Sequence, residues 1–185
     1  MEDTNGIEII SGFELYVTTW GIYNAGGFGF YVDLADYADH EEFMADLTEK
    51  LKNHRHKDHD PEWQFQDVSG LPDSLVNEDR VSPMVFDWIL LTDEERDLLT
   101  AWVDAIGADL TDITSDLSTA QNDLQGKFDS DRDGWEELAD ELLNYDEIKI
   151  PSWVVIDYEA TWKANLRHDF STSDHNGDFW VFSNR

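Results

Sequence analysis

FELYVTTWGIYNAGGFGFYVDL, residues 13–34, sets the architecture of the first part of the chain. Phe13, Leu15 and Val17 alternate with Glu14, Tyr16 and Thr18, the two-residue period of a half-buried strand. A glycine-rich turn through Gly26 and Gly27 then leads into a second aromatic strand. The next segment, DHEEFMADLTEKLK at 39–52, changes period. Phe43, Met44, Leu47 and Leu51 fall on one helical face, and Asp39 with Glu42 makes a capping-box-like start. In EWQFQDV, residues 62–68, Trp63 and Phe65 alternate with Gln64 and Gln66. The pattern predicts β-β-α-β, a small antiparallel sheet carrying one helix.

Residues 71–83, with two prolines and several polar residues, read as a boundary. Beyond it the period is helical. Thr92 and Glu95 form a capping box before Leu98, Leu99, Trp102, Val103 and Ile106, with Gly107 as the stop. A second helix is predicted over about 109–124, ending at Gly126, with Leu110, Ile113, Leu117, Ala120 and Leu124 inward. A third buries Trp135, Leu138, Ala139, Leu142 and Leu143. The closing HDFSTSDHNGDFWVF reads as two strands around Asn176-Gly177. The class is α+β, divided as a β-rich domain 1–72, a helical domain 73–115 and an α+β domain 116–185.

Charge dominates the composition. The 185 residues carry 42 acids against 12 Lys and Arg, formally −30, yet 13% are aromatic and eight are Trp. A disordered acidic tail is poor in aromatics, so this chain should fold. There is no cysteine, hence no disulfide or thiolate site. No apolar run reaches membrane-spanning length, and the acidic start lacks a signal-peptide core. A cytoplasmic protein is expected, one that avoids nucleic acid and anionic membranes and attracts basic surfaces.

The acids are placed rather than scattered. From Met84 to Ile148 there are 19 against 3 bases. Asp109, Asp112, Asp116 and Asp123 follow the apolar stripe of the second helix. Glu136, Glu137, Asp140 and Glu141 are the outward positions of the third. Asp104, Asp129, Asp131, Asp133, Asp146 and Glu147 extend the set. An opposite pair four residues apart stabilises a helix by about 0.2–0.5 kcal/mol and a like pair costs as much, so this pattern forgoes stability. Two chains of this charge, about 60 in all, match roughly 100 Å of duplex at one phosphate per ~1.7 Å. A surface of this kind imitates a phosphate backbone. Asp outnumbers Glu, 27 to 15, so adaptation to a salty cytoplasm is the other reading that composition leaves open.

The order of short motifs separates them. Tyr23-Asn24-Ala25-Gly26 follows the first strand; Glu62, Trp63, Asp67 and Gly70 mark the third. Gln125, Gly126 and Phe128 precede the acidic helix, and Asp157-Tyr158-Glu159 comes late. This succession, from about residue 13 to 182, resembles the ArdA antirestriction family, although Leu124 stands where that family usually has Tyr. The resemblance implies an elongated acidic homodimer of three small domains that mimics B-form DNA. It implies carriage on a mobile element. It also implies inhibition of type I restriction–modification enzymes by occupation of the DNA groove of the methyltransferase core, with no cofactor and no catalysis.

Two metal readings compete locally. Asp129, Asp131, Asp133, Gly134 and Asp140 fall at ligand positions of an EF-hand calcium loop. Against that reading, the last position wants a bidentate Glu, and the same residues suit a tight acidic turn with Asp133 capping a helix and Glu136 as its partner. His54, His56 and His59 could ligate zinc but lack a fourth ligand at motif spacing. Carboxylate pairs for glycoside hydrolysis are present in any acidic chain, and Trp63, Trp102 and Trp135 fall on inward faces where packing accounts for them. No nucleophile elbow, phosphate loop or metal-helix motif is present.

Overall fold

The computed structural model describes residues 12–55, 58, 60–68, 70–145 and 147–184. Two compact units, Met1–Leu91 and Thr92–Arg185, divide the chain. The class is α+β, with an antiparallel sheet near the N-terminus, helices in the middle and a second antiparallel sheet near the C-terminus.

In the first unit β1 (Glu14–Thr19) is the central strand between β2 (Phe30–Asp33) and β3 (Trp63–Gln66). The register pairs Val17 with Phe30 on one side and with Phe65 on the other. Alternation holds on β1 as far as Val17: Leu15 and Val17 are fully buried and Tyr16 between them is half-buried, but Thr18, expected on the open side, is buried as well. The link read as a turn begins as a single helical turn, α1 (Trp20–Asn24), capped by Thr19, whose side chain accepts from the Ile22 amide at 3.1 Å. Gly26 closes it at φ +70°, a conformation glycine adopts without strain.

Helix α2 (His40–Asn53) starts as expected. Asp39 accepts from the Glu42 amide at 2.9 Å, and Glu42 reaches back to the Ala38 amide at 2.8 Å. Its buried residues Phe43, Leu47 and Leu51 fall at the predicted spacing. Phe43 centres an aromatic cluster with Tyr37, Phe65 and Phe86 at centroid distances of 5.4, 6.3 and 6.0 Å. Burial of a side chain this size contributes about 1.5–3 kcal/mol.

Residues 71–83 hold more structure than their composition announced. A two-residue hairpin, β4 (Val76–Asn77) with β5 (Arg80–Val81), packs by β3, whose Phe65 amide donates to the Glu78 carbonyl at 2.9 Å. Leu75, Val76 and Val81 are buried. Strands of two residues are too short for alternation to be legible. Gln64 also departs from expectation: it is 5% exposed, with its amide donating to the Trp63 carbonyl. Helix α3 (Met84–Ile89) completes this unit, burying Val85, Phe86, Trp88 and Ile89.

The second unit begins with α4 (Asp93–Ile106). Thr92 and Glu95 form the predicted capping box, and Gly107 stops the helix at φ 66°. Leu98, Leu99 and Trp102 are buried, whereas Ile106, expected inward, is 40% exposed. Helix α5 (Ile113–Asp123) is shorter than predicted. The chain turns at Leu124 into β6 (Leu124–Phe128), paired with β8 (Asp178–Ser183), which in turn pairs with β7 (Phe170–His175). Glycine was read here as a helix stop; it serves instead the close approach of a ring. A Cβ on Gly126 would lie 2.3 Å from Cζ of Phe128.

Helix α6 (Asp131–Tyr145) follows, then α7 (Tyr158–Thr161) and a π-helical turn at Trp162–Leu166. The predicted β7–β8 hairpin is present, with Asn176 and Gly177 at φ 53° and 86°. β8 is covered on both faces. Phe179 and Val181 join Leu138 of α6 and Trp162, with Trp135 and Phe170 packed around them. Trp180 and Phe182 stack in the opposite layer, on the side where β8 meets α4 and α5.

Candidate acidic interaction surface

The acidic set resolves into carboxylates drawn to backbone amides and carboxylates that lie exposed along α6. Asp112 caps α5 by accepting from the Ser115 amide at 2.8 Å. Asp116 turns back to accept from the amides of Thr111 and Asp112 at 2.7 and 2.9 Å. These bonds fill helix N-terminal donors that otherwise lack partners. Asp109 lies ahead of the helix, and Asp116 and Asp123 are half-buried. The row of four expected along one exposed face therefore does not form. The helix starts four residues later than the apolar period indicated, and its first carboxylates are drawn to the exposed amides.

On α6 the acids lie outward as expected, although Leu142, expected inward, is 41% exposed beside them. Asp131, Asp133, Glu136, Glu137, Asp140 and Glu141 are all exposed. Asp133, Glu136, Glu137, Asp140 and Glu141, with Asn144, line one open depression of about 450 Å³. Neighbours four apart sit about 6 Å apart along the axis at a rise of ~1.5 Å per residue. Asp104, Asp129 and Glu147 are exposed as well, while Asp146 lies outside the described residues. Three cations of this unit are engaged elsewhere, Arg96 with Asp93 at 2.6 Å, Lys127 with Asp178 at 2.7 Å, and Lys163 with Glu159, while Arg132 is exposed in the first turn of α6 itself. Asp178 beside Lys127 holds that ammonium above its ordinary range, and Lys127 also lies 4.8 Å from the Trp180 ring.

The start of α6 corrects one reading. The helix is capped by Ser130, not by Asp133: the Asp133 amide donates to the Ser130 hydroxyl at 3.3 Å, and that hydroxyl donates to the Asp133 carboxylate at 2.6 Å. Asp131 and Asp133 then stand in the first helical turn, where negative charge is favoured by the helix dipole.

The same helix decides the calcium loop. Nine helical steps carry the chain from Asp131 to Asp140, about 13.5 Å along the axis. Calcium ligands lie within about 2.6 Å of the ion, hence about 5 Å of each other. Asp131 and Asp140 cannot share one, and Asp129, Asp131, Asp133 and Asp140 form no EF-hand loop. Among the described residues no group of three His, Asp or Glu is placed to hold a metal ion. Of the zinc candidates, His54 meets the Phe28 carbonyl through Nε2 at 2.9 Å; His56 and His59 lie outside the described residues.

The late motif positions this surface. Asp157 caps α7 by accepting from the Ala160 amide at 3.0 Å. Tyr158 then reaches α6, its hydroxyl donating to Asp140 at 3.2 Å. Burial and that carboxylate both push the Tyr158 hydroxyl up. Two features escaped the sequence reading. Asp93 and Glu94 are exposed at the start of α4, masked by the capping pattern of Thr92 and Glu95. Trp20, Tyr23, Phe28 and Tyr31 are also exposed, a patch that the strand-and-turn pattern did not announce. The glycines among them were the available signal of an open connection.

No helix among the described residues is long and apolar enough to cross a membrane. The molecule is thus of the class of small acidic α+β proteins whose surface carboxylates exceed what their own fold uses. The model of the ArdA antirestriction protein family matches residues 15–177, most of the chain, and the chain belongs to that family. Comparisons with curated proteins and with solved structures found no match. Membership makes this an antirestriction protein.

Proposed function

We propose that the protein is a DNA mimic that occupies the DNA groove of the methyltransferase core of type I restriction–modification enzymes. It acts as a homodimer in the cytoplasm, stoichiometrically and without chemistry of its own. The division into domains 1–72, 73–115 and 116–185 belongs to the same proposal. One observation carries it: the exposed carboxylate row of Asp133, Glu136, Glu137, Asp140 and Glu141 on α6, in which Asp133 and Asp140 each accept a hydroxyl hydrogen bond but, among the described residues, no cation pairs with any of the five. A groove built for phosphates meets such a row with Lys and Arg. The attraction accelerates encounter and weakens as salt rises. Binding energy is distributed over many carboxylates, Asp104, Asp109, Asp129, Asp131 and Glu147 included.

The test is competition. A type I methyltransferase core is pre-bound to labelled duplex carrying its recognition site, and the protein is added. Release of the duplex near one dimer per enzyme supports the mimic. Retention of the duplex by folded dimeric protein, at low and moderate salt alike, would show that this groove is not its target.

A further inference from the structure

Three of the exposed aromatics of the first unit lie in one connection. Residues 20–29 join β1 to β2, and in them Trp20 is 45%, Tyr23 61% and Phe28 82% exposed. Ile22, which is fully buried, anchors α1 to the core. Trp20 and Tyr23, three apart, share the opposite side and pack edge to face at 5.7 Å. Core packing does not account for them.

The connection is held in place. The Gly29 amide donates to the Tyr16 hydroxyl at 2.6 Å, and the Phe28 carbonyl meets His54. Negative charge stands beside it. Asp58 accepts from the Thr19 hydroxyl at 2.6 Å, and a Cβ on Gly21 would lie 2.3 Å from its Oδ2. The carboxylate therefore sits against the turn that carries Trp20. Lys50 and Lys52 of the neighbouring α2 are paired with Asp46 and Glu49.

Exposed rings on a turn that also abuts a carboxylate have a specific chemical complement. A guanidinium is planar, stacks on indole and phenol faces and pairs with a carboxylate in the same approach. We propose that Trp20 and Tyr23, with Phe28 and Asp58, form a seat for an arginine of the protein partner, adding a short-range anchor to the long-range attraction of the acidic row. The proposal rests on the DNA-mimic reading, since an enzyme face built for DNA presents arginines. Trp and Tyr anchors of this kind carry a disproportionate share of interface energy.

The experiment uses the competition assay with Trp20→Ala/Tyr23→Ala, Trp20→Phe and Phe28→Ser. The double variant should need about tenfold more protein to release the duplex, with the salt dependence unchanged, because a neutral anchor has been removed. Trp20→Phe should stay within about twofold, and Phe28→Ser should lose roughly threefold. Equal displacement by the double variant, at a wild-type melt, overturns the seat. If the double variant does not fold, equal displacement by Phe28→Ser overturns it. A second readout does not depend on the enzyme. In protein labelled with 5-fluorotryptophan, hexa-arginine should shift the Trp20 resonance, assigned through Trp20→Phe, more than hexalysine does, and leave buried Trp102 unmoved. Absence of that shift sinks the seat even where wild-type protein displaces DNA. Failure of wild-type protein to displace DNA, with the shift present, overturns the mimic reading and leaves the arginine seat standing.

Discussion

The Tyr158 hydroxyl donates to Oδ1 of Asp140 across 3.2 Å, linking the turn that opens α7 to the acidic face of α6. A family motif and a surface carboxylate thus meet in one bond. Tyr158→Phe removes it at an exposed site, so stability should fall by at most about 1 kcal/mol. Inhibition should change little, because Asp140 is one charge among many. A complete loss of inhibition in a folded variant would contradict a distributed surface.

Neutralising the row should separate stability from binding. Asp133, Glu136, Glu137, Asp140 and Glu141 repel one another along one helix, and each like pair costs about 0.2–0.5 kcal/mol. Conversion of Glu137 and Glu141 to Gln should therefore raise the melting temperature slightly at low salt. Adding the other three amides should weaken enzyme binding stepwise and flatten its salt dependence. Thermal melts and competition at several salt concentrations check both. A wild-type protein that melts cooperatively only in molar salt would favour the halophile account.

Ser130 and Asp133 exchange two hydrogen bonds at the start of α6, at 2.6 and 3.3 Å. Ser130→Ala removes the oxygen that receives the Asp133 amide and should cost about 1 kcal/mol. Asp133→Asn keeps that oxygen and should cost less. Denaturant unfolding of the two variants side by side distinguishes the cap from its partner.

Gly126 is required by a ring rather than by backbone freedom. A Cβ there would meet Phe128 at 2.3 Å, and Phe128 packs against the cluster of Leu138, Trp162 and Phe179. Gly126→Ala should destabilise by about 1–3 kcal/mol, the range for overpacking. Gly126→Ala combined with Phe128→Leu should recover part of the loss.

Tyr37 sets an alkaline limit. Burial first, then its 2.6 Å bond to Asp46, pushes the hydroxyl well above its ordinary value of 10.0. The folded state therefore keeps a proton that the unfolded chain releases near pH 10. The stability tied to this proton is complete below pH 10 and is lost as pH rises toward the folded value. Tyr37→Phe should flatten the decline of melting temperature above pH 10. Identical slopes would place the cause elsewhere.

The residues themselves determined the class, the first sheet, the β7–β8 hairpin and several boundaries. The capping box at Thr92, the Gly107 stop and the Asn176-Gly177 turn are local rules, satisfied within a few residues of chain. The face of α2 and the first half of β1 were legible because each buries one side, whereas Thr18 and Thr19 are buried together with Val17. The acidic face of α6 was legible for the converse reason: no packing demand interferes with an exposed stripe.

Other features exist only once the chain is folded. Leu124–Phe128 continues a helical period yet is a strand, because β8 offers an edge and Gly126 admits the Phe128 ring. Gln64 is buried, although its strand pattern placed it opposite the apolar side. Asp112 and Asp116 left the expected row because unpaired amides drew them in. The DSDRDG stretch, which fitted either a calcium loop or an acidic turn capped by Asp133, is a helix start capped by Ser130, and helical rise carries Asp140 away from Asp131. Composition fixes how much charge a chain carries. Whether a carboxylate caps a helix or faces a partner depends on which amides and surfaces the fold brings within its reach.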